Sequence, residues 1–480
     1  MLLIQNGFTC EYEMNIFIRL FFGNNEDGII FTDVTYNDGV VSAYCQINYN
    51  GNVYFGSFDL DYIKTSDKKR DERYFSITCT RAFCNCAEKI NKISLPWGVM
   101  CGVRPAKSVT KFHDEGMSYP EIKEHLKAAY GVSDKKCDLA IEVSKNEDEI
   151  LKNIKPNSAS IYIGIPFCPS RCLYCSFVST DIGVSGKYID DFLRLLLIEI
   201  EETGEMVKRL GINIENIYIG GGTPTTLNEK QLSVLLERIN NVFDVQKLCE
   251  FTLEAGRPDT ITKEKLIAAK NFGVGRVSIN PQTTNDETLK RIGRRHDTKM
   301  FYNSYDIARS VGFKVINTDT IAGLPGESSE DFKRTITDLK AINPENITVH
   351  SMCIKRAASL NRQDNNLTES EIMNDMLDFA QTELTGAGYT PYYMYRQKNI
   401  SGNLENVGYA KPGTRSFYNV NIMEEAQTII ALGGGGTSKL VTKNGIERIC
   451  NFKDPIEYIN RFDEILKRKK ETEKIMINEN

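Results

Sequence analysis

The sequence predicts an α/β protein built on a parallel sheet with helices outside it, preceded by an α+β domain and followed by an α+β extension. Three observations predict this. Six short apolar runs between residues 161 and 351 alternate with amphipathic helical stretches, the first 150 residues follow other periods, and aromatic and glycine-rich segments resume after the last run. At 480 residues the chain far exceeds the roughly 100 to 200 that one core usually organises, so three domains are expected, at 1–150, 151–356 and 357–480.

Residues 1 to about 65 alternate aromatic or β-branched residues with polar ones, as in FIRLFF, GVVSAYCQINY and NVYFGSFDL, with turn signals at Asn24-Asn25, Asp38-Gly39 and Asn50-Gly51. This reads as a small antiparallel sheet of hairpins. From Ser76 to Leu151 the period becomes helical. The β/α alternation then begins: IYIGI (161–165), NIYIG (216–220), FTLEA (251–255), RVSIN (276–280), KVINTDTIAG (314–323) and NITVHS (346–351), with amphipathic helices between them. Such a sheet is barrel-like or doubly wound, and in either form ligands bind at the C-terminal strand ends. After Ala357 come a helix, the aromatic strand YTPYYMY, the glycines Gly433–Gly436 and a closing helix whose charged tail, KRKKETEKIMINEN, reads as solvated.

Charged residues make up 26% and hydrophobic residues 41%, the balance of a folded globular chain. The net charge of −5 supplies no excess of cations for a phosphate backbone, which argues against nucleic acid as a partner. No stretch approaches the roughly 18 uncharged apolar residues of a membrane span, and Glu11 and Glu13 precede any basic residue, unlike an export signal. The expected location is cytoplasmic. In a reducing compartment, 13 cysteines are more at home buried, metal-binding or catalytic than paired as disulfides.

Three of them stand out. PFCPSRCLYCSF places Cys168, Cys172 and Cys175 in one CxxxCxxC loop directly after the first run of the series. Tetrahedral zinc wants a fourth ligand, and neither His125 nor His296 is adjacent. A [4Fe–4S] cluster held by three cysteines keeps one iron open to a ligand, and the spacing favours that centre. Cys79, Cys84 and Cys86 fall on a helical stretch and read as core, Cys353 after the sixth run reads as a pocket residue or, more commonly for a free cysteine, a buried one, and His113, His125 and His350 have no partner in sequence.

The CxxxCxxC loop, GGGTPT (220–225), the strand ending in Glu254, NPQ (280–282) and DTIAGLP (319–325) together resemble the radical S-adenosylmethionine (radical SAM) superfamily, in its oxygen-independent coproporphyrinogen III oxidase (dehydrogenase) branch. PWGVMCGVRPAK (96–107) and GNLENVGYAKPG (402–413) look like the long variant of that branch often called HemZ. The resemblance implies a partial (β/α)6 barrel, a [4Fe–4S] cluster on Cys168, Cys172 and Cys175, and S-adenosyl-L-methionine (SAM) chelating the open iron. It implies that Tyr162, Tyr174, Gly221, Gly222, Thr223, Glu254, Gln282, Arg294 and Asp319 bind SAM, the glycines by close approach and free N–H donors, Arg294 by its planar donor fork. A strand-end acid facing solvent, a solvated helix face around RIGRRH and core tyrosines are the plain alternatives for Glu254, Arg294 and the two tyrosines.

The implied reaction converts two propionates of coproporphyrinogen III, or a related tetrapyrrole, to vinyl groups. A SAM-derived radical removes a hydrogen atom from the β-carbon, and CO₂ and one electron are lost. A flavodoxin or ferredoxin is the implied electron donor. Two departures bear on the substrate. Phe177 stands where dehydrogenases of the branch carry a fourth cysteine. Related haem chaperones lack that cysteine but carry an HNxxYW motif, and the matching stretch here is FYNVNIM, with Tyr418 in place of the histidine.

Overall fold

The computed structural model describes residues 1–23, 27–93, 95–102, 104–175, 179–353, 370–397 and 403–479. The chain divides into two compact units, Met1–Ser144 with Glu369–Asn374 and Arg396–Glu405, and Lys145–Thr368 with Asp375–Tyr395 and Asn406–Asn480.

In the first unit, strand β1 (Leu2–Asn6) pairs parallel with β2 (Ile29–Asn37), which pairs antiparallel with β3 (Val40–Tyr49), itself antiparallel to β4 (Asn52–Asp61). The two hairpin turns fall at Asp38-Gly39 and Asn50-Gly51, where all four residues have positive φ, the left-handed geometry that matches strand twist. Val41, Ala43, Cys45 and Ile47 alternate inward on β3, on the face that the helix Lys68–Ala87 covers with Ile77, Cys79 and Phe83. FIRLFF is not a strand. It ends the helix Glu11–Phe22, in which Met14, Phe17, Ile18, Phe21 and Phe22 are buried at a spacing of three and four. Six residues fit either period, and the twelve-residue window decides. Asn24-Asn25 lies outside the described residues.

The second unit contains β5 (Ser158–Ile165), the short β6 (Phe167–Cys168) and β7 (Thr180–Asp181), β8 (Asn213–Gly221), β9 (Glu250–Glu254), β10 (Arg276–Ser278), β11 (Val315–Ala322) and β12 (Asn346–Ser351). Beyond them come β13 (Thr390–Arg396), β14 (Glu405–Ala410), β15 (Thr428–Gly433), β16 (Thr437–Thr442) and β17 (Gly445–Cys450). Six of these strands, β5, β8, β9, β10, β11 and β12, are the runs read from the sequence. They lie side by side in chain order, all parallel, as crossover helices require. Strands from the C-terminal extension complete the same sheet at both edges: β15 adds parallel to β5, and β14 adds antiparallel to β12. Edges left bare would expose unpaired backbone groups.

One face of this sheet is apolar and lies under the helices: Ile161, Ile163, Ile217, Ile219, Leu253, Val277, Ile347 and Val349 are buried there. The other face is polar and aromatic, carrying Tyr162, Tyr218, Glu254, Asn317, Asp319, Thr348 and His350 at alternate positions. The closing helix, Phe462–Glu479, is not simply solvated. Lys469 and Thr472 are buried, and the Lys469 ammonium lies 3.0 Å from the fully buried Glu199 carboxylate. Among the described residues no helix is long and apolar enough to cross a membrane.

Candidate functional site

The cysteine loop leaves the C-terminal end of β5 and is pinned by the glycine turn after β8. Gly222 N–H donates to Ile165 O (2.8 Å) and Thr223 N–H to Phe167 O (2.7 Å). A Cβ on Gly222 would sit 2.6 Å from Phe167 O and 3.0 Å from Cys168 Sγ, so only glycine lets the two loops meet. The Gly221 N–H faces the Glu254 carboxylate. The free N–H donors expected of Gly221, Gly222 and Thr223 are therefore spent inside the protein, holding the loop and the acid. Thr223 also places its hydroxyl 3.4 Å from Cys168 Sγ. Burial raises the pKa of the Cys168 thiol, against the pull of the Ser179 and Thr223 hydroxyls.

Arg294 locks the far side of the loop. It is buried, not on a solvated face, and its guanidinium donates to Tyr174 Oη (2.9 and 3.3 Å) and to the carbonyl of Gly256 (2.9 Å). Burial opposes its charge, but Tyr174 and Cys172 nearby hold its pKa above the ordinary value. Gln282 has a left-handed backbone, φ 69°, which a residue with a Cβ adopts only when held there. Its N–H donates to Asp319 O, and its carbonyl accepts from Ile321 N–H and Thr320 Oγ1.

Glu254 and Asp319 form a pair of unlike carboxylates. Burial, and then repulsion from Asp319, push the Glu254 pKa up to about 8. Burial also opposes the Asp319 anion, yet hydrogen bonding and charge from His350, with Asn317 and Thr348, hold its pKa below the usual value. The Asp319 carboxylate accepts from Asn280 Nδ2 (2.8 Å) and Asn317 Nδ2 (2.7 Å) and lies 3.7 Å from His350 Nε2. Tyr162 belongs to a near-parallel stack with Tyr218 and Tyr418, at centroid distances of 6.2, 6.3 and 4.6 Å.

Every residue expected at the site lies at or near the C-terminal strand ends, and direct contacts join several: Cys168 to Thr223, Tyr174 to Arg294, Gln282 to Asp319 and Gly221 to Glu254. The fit to a [4Fe–4S] cluster is one of chemistry, not of closed geometry. Three thiols share the eight residues 168–175, while among the described residues no three His, Cys, Asp or Glu side chains converge as a metal site. Of the histidines weighed as zinc ligands, His125 packs against Phe112 and Tyr130 and bonds Tyr74 Oη (3.1 Å), whereas His296 is buried and its pKa is pushed down to about 3 by that burial and the charge of Arg294. Phe177 lies outside the described residues.

Two residues escaped the sequence reading. His350 has partners after all, Asp319 and Tyr395 Oη (3.3 Å), both remote in sequence. Arg257, three residues past Glu254, is buried with its guanidinium 3.4 Å from Cys172 Sγ. The Arg-Pro-Asp run was its signal, since a buried arginine needs a carboxylate and Asp259 supplies one.

Residues 162–339 match the family model of the radical SAM superfamily. The chain is 39% identical over 393 residues, covering 80% of itself and 78% of the relative, to the oxygen-independent coproporphyrinogen-III oxidase-like protein HemZ of Bacillus subtilis. It is 36% identical to the heme chaperone HemW of the same organism, over 41% of this chain and 51% of that one. The fold is similar to that of the coproporphyrinogen III oxidase HemN of Escherichia coli, with a TM-score of 0.54, 23% identity and coverage of 67% and 73%. Identity at that level across most of both chains settles membership: the chain belongs to the radical SAM superfamily, whose members use a [4Fe–4S] cluster and S-adenosylmethionine, in its branch of oxygen-independent coproporphyrinogen III oxidase-like proteins.

Proposed function

We propose that this chain is an enzyme of haem biosynthesis that oxidatively decarboxylates two propionates of coproporphyrinogen III, giving the vinyl groups of protoporphyrinogen IX. The observation that carries the reading is the stack of Tyr418 on Tyr218 beside Tyr162. Tyr418 is buried, so the position that supplies a histidine in the chaperone motif is filled here by a packed aromatic side chain. Cys168, Cys172 and Cys175 would hold the cluster. Tyr162, Tyr174, Glu254, Gln282, Arg294 and Asp319 would hold SAM, with Gly221, Gly222 and Thr223 contributing by close approach and not through their N–H groups. When bound, the two supply the one-electron chemistry that removes a hydrogen atom from the propionate β-carbon.

The chain's own residues prepare the site for it. Thr223 and Gly222 fix the loop that carries the thiols. Arg294 keeps Tyr174 oriented, and Asp319 stays ionised while Glu254 keeps its proton near neutral pH, so one cationic ligand group meets a single negative charge. A flavodoxin or ferredoxin would deliver the electron, in the cytoplasm. The test is anaerobic reconstitution with iron and sulfide, incubation with SAM, reductant and coproporphyrinogen III, and mass analysis of the porphyrin. Loss of two CO₂ per molecule supports the reading. Stoichiometric haem binding with no decarboxylation assigns the chain instead to the haem chaperones, the class to which several relatives belong by name.

A further inference from the structure

Arg257 is more than nine-tenths buried, and its guanidinium reaches the cysteine loop. Its Nε and Nη2 donate to the two oxygens of Asp259 at 2.9 Å each, a bidentate pair. The remaining donors turn to the loop: Nη1 to Ser170 O (3.2 Å) and to Cys172 Sγ (3.4 Å), Nη2 to Ser170 Oγ (3.1 Å). Asp259 is itself nearly buried and its pKa is held below the usual value, burial opposing and Arg257 prevailing. The ion pair is thus charged on both sides, and the cation lies on the sulfur side. Pro258 opens the short turn that brings residue 259 back onto residue 257. Nothing in the SAM motifs requires an arginine here, and a simple clamp on Ser170 would not need to reach the sulfur.

We propose that Arg257 sets the reduction potential of the cluster through Cys172. This rests on the assignment of Cys172 as an iron ligand. A cluster gains one negative charge on reduction, shared over its thiolate sulfurs, and a charged N–H donor on one of them stabilises the reduced form more than the oxidised form. Asp259 tempers the effect by returning negative charge nearby. The two residues therefore act with opposite sign: removal of the cation makes reduction harder, and neutralisation of its counter-ion makes it easier.

The experiment is an anaerobic potentiometric titration of the reconstituted full-length protein, followed by the electron paramagnetic resonance of the reduced cluster, without SAM or substrate. Arg257→Met should disfavour reduction about tenfold, a potential 59 mV more negative for one electron. Arg257→Lys, which keeps the charge, should recover most of that shift, and Asp259→Asn should move the potential the other way. A change below twofold in both Arg257→Met and Asp259→Asn, at full iron content, overturns the proposal and leaves Arg257 a clamp on the loop. If Arg257→Met loses its iron, Asp259→Asn decides: a positive shift sustains the proposal, and an unchanged or negative one overturns it. A wild-type chain that takes up no cluster overturns the site assignment itself, an outcome distinct from an unmoved potential.

Discussion

Replacing Glu254 by Gln isolates the electrostatics of the two carboxylates at the strand ends. Glu254 is held at about 8 against an ordinary 4.5, because burial disfavours its anion and Asp319 repels it. A folded-state pKa above the unfolded value means that the native chain keeps a proton the unfolded chain has released between those two pH values. Native stability is then full below the unfolded pKa and is lost as pH rises toward the folded one. Between pH 6 and pH 9 only the part up to about 8 counts, and at about 1.36 kcal/mol per unit this is roughly 3 kcal/mol. Glutamine keeps the shape and cannot ionise. Urea unfolding of the ligand-free protein and of Glu254→Gln, at pH 6 and pH 9, should show the wild type losing about 3 kcal/mol more than the variant. Other titrating groups cancel in that difference. Parallel pH dependences would refute the raised pKa, and with it the idea that Asp319 alone carries charge at neutral pH.

Alanine at Cys168, Cys172 or Cys175 should abolish the visible absorption of the reconstituted cluster; iron retained in the triple variant would place the site elsewhere. Glu254→Ala should weaken SAM binding, measured by calorimetry, at unchanged iron content, because the acid is expected to touch the ligand and not the metal. Arg294→Met strips the donors from Tyr174 Oη and Gly256 O and should cost about 3 kcal/mol in urea unfolding, with a loss of less than 1 kcal/mol counting against the buried clamp. Lys469→Met removes the ammonium that lies 3.0 Å from the fully buried Glu199 and should cost about 3 to 5 kcal/mol, whereas a neutral result would mean that the tail is solvated after all.

The fold was legible where a period ran long enough. Each β/α pair gives a buried run followed by an amphipathic helix, as in Asn213–Gly221 and then Glu229–Val242, a repeat that a parallel sheet with helices outside it accommodates. The cysteine loop was legible from spacing, since three thiols in eight residues have few other uses. Short windows failed: FIRLFF fits a strand as well as a helix until Met14 is counted. Partners failed too when they were remote. His350 meets Tyr395, 45 residues on, and Arg294 meets Tyr174, 120 residues back. Side-chain pairs at such separations are created by the sheet order and have no local trace in the sequence. The glycine run illustrates the same limit from the other side: its position was read correctly, but which carbonyls its N–H groups would meet depended on the loop folding over it.

The extension after residue 357 is best understood from what it adds to the site. Its strands pair with both edges of the parallel sheet, and its side chains reach the polar face: Tyr418 stacks on Tyr218 at 4.6 Å, Tyr395 bonds His350 and Tyr393 bonds Thr348. A six-stranded parallel sheet cut free of these segments would lose its edge pairing and also the aromatic side chains packed on its polar face. The tyrosine stack then acquires a physical reason. Tyr162, Tyr218 and Tyr418 have their phenol pKa values raised, first by burial, with Glu254 adding to it, so all three stay neutral. The polar face of the sheet therefore carries a neutral aromatic stack on β5 and β8 and the charged Asp319 on β11. The chain assembles that stack from residues more than 250 positions apart, Tyr162 and Tyr418, so this part of the polar face exists only once the extension has closed over the parallel strands.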